Sequence, residues 1–206
     1  MSEEGSLIVV SAPSGAGKST VVARVLSEMD RLRFSVSHTT RPARPGERDG
    51  VEYHFVDEAA FERLRDGGRL LESATVYGHH YGTGLAELER ARKDGVDLLL
   101  DLDVQGAAQV RAKVADAVTV FVLPPSYEDL ERRLRGRGQD DESSIRRRLE
   151  VAREELGHFG RYDYAIVNDD LDSCVESLKA IIRAARFRVG RMESRARAIV
   201  TTFERG

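Results

Sequence analysis

Residues 12–20 combine glycines, a lysine and hydroxyl side chains at the spacing of a phosphate-binding loop. Such glycines would let successive backbone N–H groups converge on one anion. Lys18 would reach the terminal phosphates of a nucleotide, and Ser19 would offer its hydroxyl to Mg²⁺. The pattern G-x-x-x-x-G-K-[ST] has glycine where this chain has Ala12, and alanine suits that position if the backbone needs no positive φ. The spacing predicts nucleotide phosphate binding, with an ordinary glycine-rich turn as the alternative.

A second group of chemically useful residues is acidic. Asp101 and Asp103 follow the apolar run at 98–100. Because side chains alternate along a strand, both carboxylates should lie on the same side of its carboxyl end. That position faces the crevice where a phosphate-bound metal would sit, and Mg²⁺ prefers oxygen ligands. The alternative is that the pair caps the helix that follows.

These groups need a scaffold, and alternating apolar runs and helical patterns predict one. Strands are expected at residues 7–10, 34–37, 96–102, 118–123 and 164–167. Helices are expected at residues 17–29, 106–114, 126–135, 143–158 and 171–189. This alternation predicts an α/β fold with a parallel, doubly wound sheet that binds its ligands at the carboxyl ends of the strands.

Three segments interrupt the alternation. Segment 38–84 is rich in glycine and proline and is predicted to be a small, mostly β insertion. Its short strands are expected around 51–56, 70–77 and 79–82, with a helix near 57–66. Segment 132–150 carries many arginines around a glycine break, which predicts a mobile cover. For any single arginine, a position on the exposed face of a helix is an almost equally good interpretation. The tail 190–206 is weakly patterned, with a β-like run at 198–203.

Composition restricts the class of protein. A net charge of −3 and a pI near 6.0 argue against a general nucleic-acid binder. Cys174 is the single cysteine, so no internal disulfide is possible and a reducing compartment is expected. The sequence has no apolar run of membrane-spanning length and no signal-like N-terminal pattern, which predicts a cytoplasmic protein without membrane contact.

Several blocks of the chain resemble one known family, the guanylate kinases. In chain order the blocks are residues 11–20, 37–47, 50–55, 81–83, 100–106, 135–138 and 166–170. Phosphate loops occur in many folds, whereas the block Ser-His-Thr-Thr-Arg-Pro-Ala-Arg-Pro-Gly-Glu at 37–47 makes the resemblance specific. The blocks are distributed over nearly the whole range of residues 6–189.

The resemblance implies a division of labour. A P-loop NTPase-type core at 1–37 and 85–189 would hold ATP, the insertion 38–84 would hold GMP, and the arginine-rich segment near 132–150 would be a lid, followed by the tail 190–206. The implied reaction transfers the γ-phosphoryl group of ATP to GMP and gives ADP and GDP, with Mg²⁺ required. This is a reaction of purine nucleotide metabolism. Contacts to the guanine edge alone would also tolerate dGMP.

The resemblance also assigns individual residues. ATP would contact Ala12, Pro13, Ser14, Gly15, Ala16, Gly17, Lys18, Ser19, Thr20 and, near adenine, Asn168. GMP would contact Arg41, Arg44, Tyr53 and Tyr81 through its phosphate, and Ser37, Glu72, Thr83 and Asp103 through its base. Catalysis would involve Lys18, Arg44, Asp101, Arg137 and Arg148, with Arg133 as a further lid arginine. The metal would be held near Ser19 and Asp101.

The implied chemistry is consistent with the residue types. A phosphate acceptor is already ionised near neutral pH, so no general base is required, and the five histidines show no metal or triad spacing. Two alternatives remain at this stage. One is a catalytically silent, guanylate-kinase-like module that binds a phosphorylated peptide. The other is a P-loop enzyme of a different kind, either a kinase for another small phosphate ester or a GTPase.

Overall fold

The computed structural model describes residues 4–76, 78–136 and 141–204. The strands are β1 Leu7–Ser11, β2 Leu32–Phe34, β3 His38–Thr39, β4 His54–Phe55, β5 Leu70–Val76, β6 His79–Gly84, β7 Asp97–Asp101, β8 Val118–Leu123 and β9 Tyr164–Val167. The helices are α1 Lys18–Glu28, α2 Glu58–Asp66, α3 Leu85–Asp94, α4 Val104–Lys113, α5 Tyr127–Arg135, α6 Glu142–Leu156, α7 Leu171–Ala185 and α8 Val189–Phe203. A short 3₁₀ turn covers Phe159–Arg161.

The larger sheet has the strand order β2-β7-β1-β8-β9, and all of its neighbouring strands are parallel. Its central strand β1 is buried along its whole length. Ile8 and Val10 pack on one face with α1 and α7, while Leu7 and Val9 pack on the other with α4. Because β1 is covered on both faces, its residues 7–10 are all apolar, without alternation of polar residues. The predicted doubly wound α/β architecture is confirmed.

The smaller sheet is built from the turn-rich part of the chain. Its order is β4-β3-β6-β5, with β3 and β4 parallel and the pairs β3–β6 and β5–β6 antiparallel. Phe61 of α2 is buried, and Leu71 of β5 joins the same hydrophobic cluster as Leu98 of β7. This shared cluster attaches the smaller sheet to the larger one.

In the first half of the chain, one predicted strand has different bounds and one helix was not predicted. The strand expected at 34–37 is β2, which ends at Phe34 because it pairs with β7 over Leu32–Phe34 only. Helix α3 was not predicted. It follows Gly84 and ends at Gly95, whose φ of +65° suits a glycine, and it buries Leu88 and Ala91.

The tail prediction was wrong at 198–203, where the β-like run belongs to helix α8. Within α8, Arg197 pairs with Glu193 one turn earlier, and the Thr201 hydroxyl bonds to the Arg197 carbonyl. Arg191 fastens the start of the helix to the Gly5 carbonyl and the Asp116 carboxylate. The first two contacts lie within the helix and the Arg191 contacts attach it to the rest of the chain. Together they outweigh the β preference of a short Ile-Val-Thr-Thr sequence.

Among the described helices, none combines the length and the apolar character needed to cross a bilayer.

Candidate active site

The loop between β1 and α1 has the backbone of an anion cradle. Gly15 and Gly17 have φ of +95° and +91°, values that side chains other than glycine rarely adopt. Among the described residues other than glycine, positive φ occurs at Arg31 alone, so Ala12 sits in ordinary backbone and its departure from the motif is tolerated. Helix α1 starts at Lys18 with no side chain capping its first N–H groups in the described chain. Those N–H groups are thus available to a phosphate.

Lys18 reaches across to the end of β7. Its ammonium pairs with the Asp101 carboxylate, and its Nζ donates a hydrogen bond of 3.0 Å to the Leu102 carbonyl. Both side chains are largely buried. The cation therefore stands at the carboxyl ends of the central strands, where an α/β sheet binds ligands.

Asp101, which ends β7, and Asp103, which follows it, have different roles. Asp101 faces Lys18, whereas Asp103 is the N-cap of α4 and accepts hydrogen bonds from the N–H groups of Gln105 (3.0 Å) and Gly106 (2.8 Å). The capping alternative drawn from the sequence thus holds for Asp103 and not for Asp101. Because one carboxylate pairs with Lys18 and the other caps α4, the two aspartates do not act as one pair. Within the described ranges no group of three or more His, Cys, Asp and Glu side chains is arranged to hold a metal by itself.

Glu72 on β5 is a buried carboxylate with a defined orientation. Its Oε1 accepts hydrogen bonds from both the N–H and the hydroxyl of Thr83, each at 2.8 Å, and the Thr83 hydroxyl lies 3.3 Å from that of Ser37. Burial raises the pKa of the Glu72 carboxyl, while the hydrogen bonds from Thr83 act in the opposite direction. The structure brings together these three residues, which the sequence had proposed as base-reading.

The absence of a side chain at Gly106 leaves room beside Glu72. A Cβ there would lie 3.3 Å from Glu72 Oε2 and 3.4 Å from Asp103 Oδ1. The carboxylates of Glu72 and Asp103 therefore approach each other over the first turn of α4. Asp101, which pairs with Lys18, is two residues before Asp103. The start of α4 consequently links the Glu72 region to the phosphate-loop region.

Arg41 is the centre of a charged and aromatic cluster beside β6. Its Nη2 lies 2.8 Å from Glu47 Oε1, and its guanidinium carbon is 5.4 Å from the centre of the Tyr53 ring. The rings of Tyr53 and Tyr81 meet edge to face at 5.9 Å. Arg41, Tyr53 and Tyr81 are thus brought together as the sequence suggested, within reach of one anion.

Glu47 organises this cluster, and the sequence reasoning gave it no role. Its Oε1 holds the Arg41 guanidinium, and its Oε2 accepts the Arg44 backbone N–H at 2.7 Å. The Arg41 pairing and the Arg44 N–H hold the pKa of the Glu47 carboxyl below its usual range. An acid three and six residues from two functional arginines is the signal that could have identified it.

Arginines from α5 and α6 touch the phosphate loop. Arg148 Nη2 donates to the Ser14 hydroxyl at 2.8 Å. Arg133 donates to the carbonyls of Ala16 (3.2 Å) and Asn168 (2.8 Å). Arg137, proposed from the sequence as a catalytic lid arginine, lies outside the described residues.

Asn168 supports the phosphate loop from behind. It is buried, and its Nδ2 donates to the Ala16 carbonyl at 2.7 Å. A Cβ at Gly17 would collide with the same Nδ2. Helix α7 is capped by Asp170, which accepts the Ser173 N–H, and not by Asn168. A contact of Asn168 with adenine stays a prediction.

Comparison with known proteins extends over nearly the whole chain. A family model described as "Guanylate kinase" matches residues 4–185. The chain is 51% identical to the guanylate kinase of Aromatoleum aromaticum over 93% of this chain and 94% of that protein. It is 50% identical to the guanylate kinase of Methylobacillus flagellatus, covering 90% of this chain and 92% of that protein.

A solved structure gives the same result. The crystal structure of guanylate kinase from Anaplasma phagocytophilum superposes with a TM-score of 0.72 at 36% identity, covering 92% of this chain and 90% of that chain. The expected resemblance is therefore confirmed in both sequence and fold. The chain belongs to the guanylate kinase family.

Proposed function

We propose that the residues around the start of α4 transfer the γ-phosphoryl group of ATP to GMP, giving ADP and GDP. One observation carries this proposal. The buried Glu72 carboxylate and the Asp103 carboxylate both lie within 3.4 Å of the position that a Cβ on Gly106 would take, and Asp103 is two residues from Asp101, the partner of Lys18. A site able to read a base thus adjoins a site able to bind phosphates, as transfer between two nucleotides requires.

Glu72 would select guanine. Guanine offers two adjacent donors, N1–H and its exocyclic amine, and a carboxylate can accept from both. Adenine lacks that pair and would leave the buried carboxylate partly unsatisfied, which can reduce turnover on the order of 10⁴-fold. Both Thr83 hydrogen bonds go to Oε1, which supports a role for Oε2 in binding the base. None of these contacts involves a ribose 2′-hydroxyl, so dGMP is a further proposed acceptor.

The phosphate of GMP would be held by Arg41, Arg44, Tyr53 and Tyr81. The Arg41 guanidinium is presented by Glu47 and stacked near the Tyr53 ring, so it is oriented before any ligand arrives. Guanidinium groups bind phosphate oxygens bidentately, and phenol hydroxyls add neutral donors. This arrangement would align the acceptor oxygen with the donor phosphate.

The donor side would use residues 12–20, with Lys18 on the terminal phosphates. The proposed metal is Mg²⁺, held near Ser19 and Asp101. The residues fit this ion because Mg²⁺ is usually held by one or two protein oxygens together with substrate phosphates and water. When bound, Mg²⁺ would neutralise negative charge on the phosphates. Lys18 would exchange its Asp101 partner for phosphate oxygens, which would release that carboxylate toward the metal.

Segment 132–150 would act as the lid, segment 38–84 as the GMP-binding part and the remaining core as the ATP-binding part. The contact of Arg148 with Ser14 supports a lid that reaches the phosphate loop. Arg148 and Arg137 would cancel charge on the transferring group, and Arg133 would support the loop. Closure would also exclude water that could otherwise accept the phosphoryl group. No residue is required as a base.

An assay of ADP release tests the proposal. ADP formation from MgATP is measured with GMP, AMP, CMP and UMP offered separately, and GMP is expected to be strongly preferred. Omitting Mg²⁺ should abolish turnover. Binding of ATP without turnover on any monophosphate would contradict the proposal and would favour the catalytically silent module.

A further inference from the structure

We infer that Gln109 is a positioning residue, which clamps the strand carrying Glu72 to helix α4 and thereby sets the preference for guanine. The inference rests on the proposed function of Glu72. Gln109 lies on α4, and its side-chain amide makes two hydrogen bonds to the backbone of Ser73. Its Oε1 accepts the Ser73 N–H at 3.0 Å, and its Nε2 donates to the Ser73 carbonyl at 3.0 Å.

The position of β5 in its sheet explains why such a clamp is needed. β5 is an edge strand, paired with β6 on one side only. An edge strand leaves backbone N–H and carbonyl groups unpaired on its outer side. The Gln109 amide satisfies both groups of Ser73, in the way that a further strand would. Two hydrogen bonds to one residue fix both the position of the strand along its axis and its rotation about that axis.

The clamped residue is the immediate neighbour of Glu72. Since successive side chains alternate along a strand, rotation at Ser73 would swing the Glu72 carboxylate directly. That carboxylate must keep its bonds to Thr83 while Oε2 stays beside Gly106. Recognition by hydrogen bonds tolerates displacements of about 0.5 Å. A loosened strand would therefore weaken base reading before it disturbed the fold.

Helix α4 also connects this strand to the phosphate side of the site. It begins after Asp103 and follows Asp101, the partner of Lys18. Lys113, one turn beyond Gln109, bonds to the Leu70 carbonyl at 2.9 Å and forms another attachment of β5. Gln109 is the attachment adjacent to Glu72. It touches no proposed ligand position itself, so it acts through Glu72.

The test compares Gln109→Met with Arg111→Met in the full-length chain. Methionine nearly preserves the shape of glutamine and removes both hydrogen bonds. Arg111 is exposed on the same helix and serves as the matched control. For Gln109→Met, the KM for GMP is expected to rise about tenfold, and the ratio of kcat/KM for GMP over AMP is expected to fall by about the same factor. The KM for ATP should change less than about twofold, and Arg111→Met should behave as wild type.

A purely structural role for Gln109 makes a different prediction. In that case Gln109→Met would lower the midpoint of thermal unfolding but leave the KM for GMP and the GMP/AMP ratio at their wild-type values. That result would overturn the inference. Gln109→Glu provides a second variant should the methionine variant not fold. It keeps an acceptor for the Ser73 N–H but sets an oxygen against the Ser73 carbonyl, so the KM for GMP should rise there as well, and an unchanged KM would likewise overturn the inference.

The wild-type protein separates this inference from the proposed function. If the wild type shows no preference for GMP over AMP, the proposed role of Glu72 fails and the clamp has nothing to position. If the wild type prefers GMP and Gln109→Met retains that preference, the clamp alone fails.

Discussion

The proposed ATP side and the proposed GMP side of the site are constructed by different means. The phosphate loop is shaped by backbone, through positive φ at Gly15 and Gly17 and through uncapped N–H groups at the start of α1. The GMP side is shaped by side chains that hold one another, such as Arg41 with Glu47 and Glu72 with Thr83. A backbone cradle is preorganised for any phosphate, whereas a side-chain network can distinguish one base from another.

The supports of the two regions differ in the same way. Asn168 and Arg133 hold the loop through the main-chain carbonyl of Ala16, so they stabilise its path without adding specificity. On the GMP side, Gln109 supports the strand that bears Glu72. If this distinction is right, changes at the loop should affect turnover with every acceptor, and changes at the GMP side should affect the choice of acceptor.

Lys18→Ala should have the largest effect and should be general. The variant loses the cation that would contact the donor phosphates, so kcat/KM for GMP should fall by about 10³-fold, without a change in the GMP/AMP ratio. Steady-state kinetics with both acceptors measures this, and circular dichroism checks that the fold is kept. Near-wild-type turnover in a folded variant would contradict the role of Lys18.

Glu72→Ala should affect selectivity above all. It removes the carboxylate that would accept both guanine donors, so the ratio of kcat/KM for GMP over AMP should drop by about 10²-fold. The KM for ATP should stay close to its wild-type value. The changed GMP/AMP ratio distinguishes this variant from Lys18→Ala. An unchanged ratio would show that another group reads the base.

Gly17→Ala should raise the KM for ATP more than the backbone strain at that position would by itself. At φ of +91° a new Cβ is strained and collides with Asn168 Nδ2, so the KM for ATP should rise about tenfold with a loss of about 1–2 kcal/mol in stability. Gly68→Ala is the matched control, because Gly68 also has positive φ but no atom lies within 4 Å of a Cβ there. Gly68→Ala should lose stability and keep the wild-type KM for ATP; equal KM values in the two variants would refute the collision.

A pH series should produce the smallest effect and should separate the two regions again. Burial raises the pKa of the Glu72 carboxyl, so this group gains a proton at a higher pH than an exposed glutamate. Protonation removes its capacity to accept from both guanine donors, so the KM for GMP should rise severalfold as the pH falls through that pKa. Glu72→Gln has no such proton to gain and should show a flatter profile. Identical profiles would exclude Glu72 as the titrating group.

Local sequence was sufficient for features made of contiguous residues. The phosphate loop lies within nine residues, and β8 and β9 were predicted at the bounds that the structure has, 118–123 and 164–167. In both cases residue type and spacing carry the information, because the backbone groups concerned are neighbours in the chain. Helices α3 and α8 are exceptions among local features: α3 was not predicted, and the β-branched residues of α8 pointed to a strand.

Tertiary structure alone decided the contacts between distant residues. Residue type and spacing do not distinguish Asp101 from Asp103. Their contacts differ because Lys18 pairs with Asp101, whereas Asp103 caps the first turn of α4. Ser73 and Gln109 are 36 residues apart, and Ala16 and Asn168 are 152 apart. Such pairs arise when packed apolar faces bring strand ends together, and spacing along the chain carries no information about which polar groups then meet.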